Sequence, residues 1–280
     1  MLMLLAALAA GLFLAMAAAF LLARWTGNSG WVDTIWSYAT GVAGVAAALI
    51  PVAGSETVLS RQLLVAGLVA AWSVRLGSHI LARTLQGHDD PRYVQLRKEW
   101  GARADVLMFG FLQIQAACAL LLAVAVMAAA RNPAPGWLLT DTLGLVLVVA
   151  AVVGEGISDR QLAAFRADPS NRGRVCDVGL WGVSRHPNYF FEWLGWAAYP
   201  VIALGAAPLA YPLGWASLLA PALMYWLLVH ASGIPPTEAH MLRSRGDAFR
   251  DYQARVNAFW PWPSRSAVAG RALDRSSIRS

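Results

Sequence analysis

The sequence predicts an all-α polytopic membrane protein, with about seven transmembrane helices in one bundle and ordered cytoplasmic loops. Three observations carry that prediction. Of 280 residues, 58% are hydrophobic and only 14% charged, against about 25% charged in an average soluble domain. The mean hydropathy is +0.51, and the apolar residues form long uncharged runs of membrane-spanning length. The 22 basic residues, of which only Lys98 is not arginine, cluster between alternate runs. This composition excludes a disordered chain, which lacks hydrophobic residues. The two cysteines, Cys118 and Cys176, make neither a disulfide framework nor a metal motif.

Taken in order, the first predicted span is Met1–Leu22, apolar until Arg24. It lacks the basic start of a signal peptide and is read as a retained helix. Further spans are predicted at Thr34–Val52, Leu63–Leu81, Val106–Ala130, Leu138–Ile157, Tyr189–Leu204 and Leu209–Val229. Pro200, Pro208, Pro212 and Pro221 interrupt the last two, so counts of six or eight stay open. With the N-terminus outside and the C-terminus cytoplasmic, the outer loops hold only Arg61 and Arg131 among the bases. The other twenty lie on or near the inner side, as the positive-inside rule asks. The expected location is the bacterial inner membrane. Residues 1–263 read as one transmembrane domain, with a substrate side over 34–130 and a cofactor-binding half over 138–263. The Ser/Arg/Ala-rich residues 264–280 read as a mobile tail.

Asp33, Arg75, His79, Glu155 and Glu192 fall within or at the edge of apolar segments, where an ionisable group is costly unless it meets a partner or a cavity. Snorkelling at the interface is the alternative for any one of them. Arg75, His79 and Arg83 share one helix face by their i, i+4, i+8 spacing. Glu155, Asp159 and Arg166 share another. A polar turn with Arg172 and Arg174 follows, and then the run Ser184-Arg185-His186-Pro187-Asn188-Tyr189. That run reaches Glu192 inside the next apolar stretch. Arginine forks suit phosphate oxygens, aromatics stack on rings, and buried Asn, Glu and Asp can bond amide or ribose groups. The combination suits a nucleotide better than an ion path, although no Rossmann fingerprint and no P-loop is present. The bases are dispersed between spans, which gives no indication of nucleic-acid binding.

The segment from Ser158-Asp159-Arg160-Gln161 through Asn171-Arg172-Gly173-Arg174, Gly179-Leu180-Trp181 and Arg185-His186-Pro187-Asn188-Tyr189 closely resembles the C-terminal domain of the steroid 5-alpha-reductase superfamily, bacterial DUF1295 branch. Arg75-Leu76-Gly77, Asp90 with Arg92-Tyr93, Ser232-Gly233-Ile234-Pro235 with Glu238, Phe249-Arg250-Asp251-Tyr252 and Phe259-Trp260-Pro261 extend the likeness. The resemblance implies a helical membrane bundle that binds NADPH from the cytoplasmic side. It also implies hydride transfer to an enone C=C of a lipid such as a 3-oxo-Δ4 steroid, entering from the bilayer. It places Arg83, Asp159, Arg166, Arg172, Arg174, Arg185, His186, Asn188, Tyr189, Glu192, Glu238 and Tyr252 at the cofactor. Trp36, Trp72 and His79 fall on the substrate side.

The sequence departs from the family pattern twice. Phe190-Phe191 precede Glu192 where the family often has Gly. The Gln-Glu pair that polarises the ketone in animal enzymes is missing, and Trp72 stands about where their Tyr would. The remaining candidates to stabilise the enolate oxygen are Asp33, the preferred one, which must be protonated to donate, and Tyr38. The alternative function is an S-adenosylmethionine-dependent methyltransferase of the isoprenylcysteine carboxyl type, which shares an RHPxY segment. A third is a lipid-binding scaffold. The oligomeric state is not readable from the sequence.

Overall fold

A computed structural model describes residues 1–262 apart from 53, 55, 56, 88 and 206–208. The expected mobile tail, 264–280, and Pro208 lie outside the described residues. Those described form helices joined by turns and loops, with no strand among them.

Helix α1 (Leu2–Thr26) ends at Gly27, whose φ of +68° closes the helix in the left-handed region glycine adopts without strain. It buries only the stripe Leu8, Leu12, Met16, Ala19 and Ala23, the i, i+4 spacing of one face. Phe13, Leu14 and Leu21 stay exposed. Helix α2 (Gly30–Leu49) begins four residues before the predicted Thr34, with Asp33 in its first turn, where the helix dipole favours an acid. Its small residues face α3 (Leu59–Leu85). A Cβ added at Gly41 would lie 2.1 Å from Ser73 Oγ, and one at Gly44 2.7 Å from Val69 Cγ2. Close backbone approach of this kind is how membrane helices gain packing energy without a hydrophobic drive.

The polar stretch after α3 folds into α4 (Pro91–Trp100), started by the Asp90 cap and Pro91. The chain continues through a short 3₁₀ turn into α5 (Ala104–Ala130). Helix α6 (Leu139–Ala167) runs ten residues past the predicted Ile157. No helix breaker occurs until Asp168-Pro169, so the helix outlasts its apolar window. Helix α7 (Pro187–Leu204) starts on the proline of the RHPNY run. The predicted span Leu209–Val229 is instead composite. It has a 3₁₀ segment (Pro212–Leu218), helix α8 (Leu219–Trp226) and a π-helical turn (Leu227–Ala231). Helices α9 (Ile234–Arg245) and α10 (Asp247–Arg255) follow.

Five stretches are long and apolar enough to cross a membrane: α1, α3, Pro91–Ala130, α6 and Pro212–Arg245. Helices α2 and α7, expected as spans, reach 20 and 18 residues. They carry Asp33, Ser37 and Tyr38, and Asn188, Tyr189 and Glu192, among their apolar residues, which lowers their hydropathy.

The chain divides into two compact units, Met1–Val148 with Ala197–Leu223, and Val149–Trp196 with the residues from Met224 onward. The first has a core of Leu, Met, Ala and Val from α1, α2 and α5, which also encloses Tyr93 of α4. The second has a small cluster of Phe249, Tyr252 and Val256.

Arg61 and Arg131, expected in outer loops, are instead interior residues of the first unit, exposed by 0% and 2%. Arg61 bonds Asp141 through Nε (2.8 Å) and Nη2 (2.9 Å). It also donates to the carbonyls of Asn132, Ala134 and Gly136. Arg131 Nη2 donates to the carbonyls of Ala47 (3.0 Å) and Ile50 (2.7 Å) at the C-terminal end of α2. Each satisfies chain-end carbonyls that the apolar surroundings cannot.

Candidate functional site

In the first unit the polar groups gather where α2 and α4 begin. Asp90 accepts from the Arg92 backbone N–H (2.9 Å) and takes its Nε and Nη2 on the two carboxylate oxygens (3.0 and 2.9 Å). Arg92 Nη2 also reaches Asp33 Oδ2 at 2.5 Å. The Tyr93 hydroxyl donates to Asp33 Oδ1 (2.7 Å) and accepts from Gln115 Nε2 (3.0 Å). Trp36 Nε1 donates to the Gln115 carbonyl (3.0 Å). Burial pushes the Asp90 carboxyl up, but the hydrogen bond and charge of Arg92, with the charge of Arg83, hold it below its ordinary value. The α1–α2 turn is tied to the same place. Ser29 donates its backbone N–H (2.8 Å) and its hydroxyl to Asp89 Oδ1, and Asn28 Nδ2 donates to the Thr84 carbonyl (3.0 Å).

Asp33 is thus an acceptor at both oxygens, once from a guanidinium and once from a phenol. Tyr38 is placed differently. Its hydroxyl meets Ser78 Oγ at 3.2 Å on the exposed side of α2 and α3. Its ring lies over Gly77, where an added Cβ would come within 2.8 Å of it. Trp36 and Trp72 meet edge to face, with centroids 6.3 Å apart. On the predicted cationic face, Arg75 is half-buried, while His79 and Arg83 are exposed.

In the second unit the RHPNY run is knitted into its own surroundings. The Arg185 backbone N–H donates to the Asn257 carbonyl (2.9 Å). Its guanidinium grips Glu238 through Nε (2.7 Å) and Nη2 (3.2 Å), and Nη1 donates to the carbonyls of Val256 (2.5 Å) and Gln253 (3.2 Å). His186 Nε2 meets Glu238 Oε1 at 3.1 Å, and Gln253 Nε2 donates to Oε2 at 2.6 Å. One carboxylate therefore ties together a loop, α9 and α10. Burial lowers the His186 imidazole below its ordinary 6.5 despite Glu238, so the ring is neutral at pH 7 and donates from Nε2. It stacks on Tyr189 with centroids 5.3 Å apart and planes at 9°. The Tyr252 hydroxyl donates to the Trp181 carbonyl at 2.5 Å, and burial pushes its phenol well up.

Elsewhere in this unit Glu192 is buried and accepts from Trp196 Nε1 at 3.0 Å. Asn188 Oδ1 accepts from the Tyr189 backbone N–H (3.1 Å). Asp159 is half-buried, while Arg166, Arg172 and Arg174 are exposed on the end of α6 and the turn beyond it. That turn is shaped by Asp168, whose side chain accepts from the Ser170 N–H (2.8 Å), and by Gly173 at φ +85°.

The expected residues therefore sort into two kinds. Arg185, His186, Glu238 and Tyr252 are brought together, but they bond one another and the backbone. Arg166, Arg172 and Arg174 are exposed, and Arg174 Nη1 donates to Asn171 Oδ1 at 3.3 Å. Sequence reasoning gave no role to Arg92, Tyr93, Gln115 or Gln253. Asp90-Pro91 is a readable helix start that places the first two, while nothing in the sequence marks the glutamines.

No curated protein and no solved structure matches the chain. A family model described as "Protein of unknown function (DUF1295)" matches residues 19–256. That match covers most of the chain, which therefore belongs to the DUF1295 family, a family linked to the steroid 5-alpha-reductase-like superfamily.

Proposed function

We propose that the protein is an NADPH-dependent reductase of the membrane, acting on the enone C=C of a lipid such as a 3-oxo-Δ4 steroid. In this reading α2 and α7 cross the bilayer beside the five strongly apolar stretches, which makes seven spans. The observation that carries it is the exposed trio Arg166, Arg172 and Arg174 in the second unit. Three planar forks on one short stretch fit the pyrophosphate and 2′-phosphate of the dinucleotide by bidentate hydrogen bonds. A cationic sulfonium cofactor without phosphate would leave them unused. Asn188 and Tyr189 would hold the ring portions. Arg185, His186 and Glu238 would act as the frame that positions them, since their own polar atoms are engaged.

When bound, the dinucleotide supplies the hydride; the chain binds it, orients it and provides the proton. The enolate oxygen needs a donor. The geometry favours Tyr38 over Asp33, because Asp33 accepts at both oxygens, whereas the Tyr38 Oη–H is accessible with Ser78 Oγ behind it to replace the proton.

The test is thermal stabilisation of the full chain in detergent. A ligand that binds only the folded state raises Tm. NADPH is expected to raise it more than NADH, and Arg174→Ala is expected to remove that margin. Stabilisation by S-adenosylmethionine alone, or by neither class of ligand, overturns the reading. Tyr38→Phe is expected to lower kcat on an enone by about 10²-fold or more with KM little changed, and full turnover in that variant refutes its assignment.

A further inference from the structure

Helices α2 and α3 meet along one antiparallel seam whose steps are regular. Gly44 takes Val69 and Gly41 takes Ser73, and a Cβ added at either glycine would fall within 2.7 Å of the side chain opposite. At the next step the roles reverse. The glycine is now Gly77 of α3, and the side chain opposite is Tyr38 of α2. A Cβ at Gly77 would lie 2.8 Å from the ring Cζ and 2.9 Å from both Cε atoms. The seam ends with Thr34 Oγ1 and Thr84 Oγ1 at 3.2 Å.

Every other member of the seam is buried: Val69, Gly44, Ser73, Gly41, Thr34 and Thr84. The Tyr38 step differs. Gly77 is buried, but the ring above it ends in a hydroxyl on the exposed side of both helices, 3.2 Å from Ser78 Oγ. Val42 follows Tyr38 by four residues and Val74 precedes Ser78 by four, so each shares its helix face with that pair. Both valines are exposed. The hydroxyl therefore opens on an apolar face, where a lipid oxygen arrives from the bilayer. Packing alone would be met there by a short apolar side chain, as at the neighbouring steps.

One exposed hydrogen bond restrains a ring only weakly. The firm restraint is the α3 backbone beneath it. Carbon atoms in contact keep about 3.5–4.0 Å apart, so a methyl group at 77 would lift the phenol end of the ring by about half an ångström or more. We propose that Gly77 is a positioning residue of the reductase. By lacking a side chain it sets the height at which the Tyr38 hydroxyl stands over α3. That height keeps Ser78 Oγ behind the hydroxyl and leaves the phenol proton for the enolate oxygen. This inference rests on the reading of Tyr38 as the donor to that oxygen.

The experiment is a double-mutant cycle on the full chain in detergent, with NADPH and progesterone as the 3-oxo-Δ4 probe. Gly77→Ala is expected to lower kcat about tenfold or more with KM little changed, the scale of a sub-ångström misplacement. In a Tyr38→Phe background the same substitution is expected to cost nothing further, because no hydroxyl remains to misplace. A merely structural loss would recur there. Alanine also favours helix over glycine, so the variant keeps the fold, which its Tm checks. Gly67→Ala, on the same helix with open space around its Cβ position, is the control and is expected to keep full turnover. The second readout needs no turnover: the ¹⁹F resonance of the chain carrying 3-fluorotyrosine in place of Tyr38. Gly77→Ala is expected to shift that resonance, and Gly67→Ala to leave it in place. Loss in Tyr38→Phe with none in Gly77→Ala overturns this proposal and leaves the donor reading standing. So does a fluorine resonance unmoved by Gly77→Ala, or an equal further loss in the Tyr38→Phe background. Full turnover in Tyr38→Phe overturns the donor reading, and the proposal with it.

Discussion

Arg61 and Asp141 show how much one residue pair can decide. Both side chains are fully buried, and the guanidinium divides its donors between the carboxylate and three carbonyls. A buried ion pair gains little over an apolar pair of the same shape, but a half-removed one leaves a bare charge in a dry interior. Asp141→Ala or Arg61→Ala is therefore expected to cost about 3–5 kcal/mol, read as a fall in Tm in detergent. The double variant Arg61→Met/Asp141→Leu is expected to recover much of that loss. Equal losses in the single and double variants would show that the carbonyl contacts, not the charges, hold this end together. None of this was legible in the sequence. An arginine two residues before the predicted Leu63 start of an apolar run reads as a loop residue, and only its distant partner in α6 reveals otherwise.

At the scale of elements, hydropathy located the apolar runs but missed where helices stop. Helix α5 matches its predicted span to within two residues, because Arg131-Asn132-Pro133 ends both the apolar run and the helix. In α6 apolarity ends at Ile157, yet the backbone continues to Ala167. The Asp168-Pro169 stop was present in the sequence, though apolarity gave no weight to it. The same blindness hid α4, whose Asp90-Pro91 start lies in a polar stretch. Helix α2 was found by its apolar half, while its tightest packing comes from glycines that hydropathy scores as neutral. At Gly41 and Gly44 the α3 side chains occupy the space a Cβ would need. Gly41→Leu is expected to force α2 and α3 apart and to lower stability by about 1–3 kcal/mol, the usual cost of overpacking. Gly11, with open space around its Cβ position, is the control: Gly11→Leu is expected to leave Tm unchanged. A comparable loss at both positions would remove the packing explanation.

Over the whole molecule, the lopsided charge takes on a sharper form once burial is known. Alternating spans assign Arg61 and Arg131 to the side opposite all other bases. Both are interior, at 0% and 2% exposure, and bond protein oxygens, Arg61 through its whole guanidinium and Arg131 through Nη2. The loops of that side then present no exposed base among the described residues. In the seven-span reading proposed above, the exposed bases Arg24, Lys98, Arg103, Arg172, Arg174, Arg243 and Arg250 fall to the opposite side. Exposed bases near span ends set orientation during insertion, because they resist transfer across the bilayer. We therefore expect the C-terminus to be cytoplasmic and the N-terminus outside. A C-terminal green fluorescent protein fusion in a bacterial host is expected to fluoresce, and a C-terminal alkaline phosphatase fusion to be inactive. Arg24 is the one base in the last turn of α1, so Arg24→Gln by itself is expected to leave this pattern unchanged, since the many later bases still hold it. The reverse pattern of reporter activity would refute the orientation, and would move the Arg166–Arg174 stretch to a compartment without NADPH.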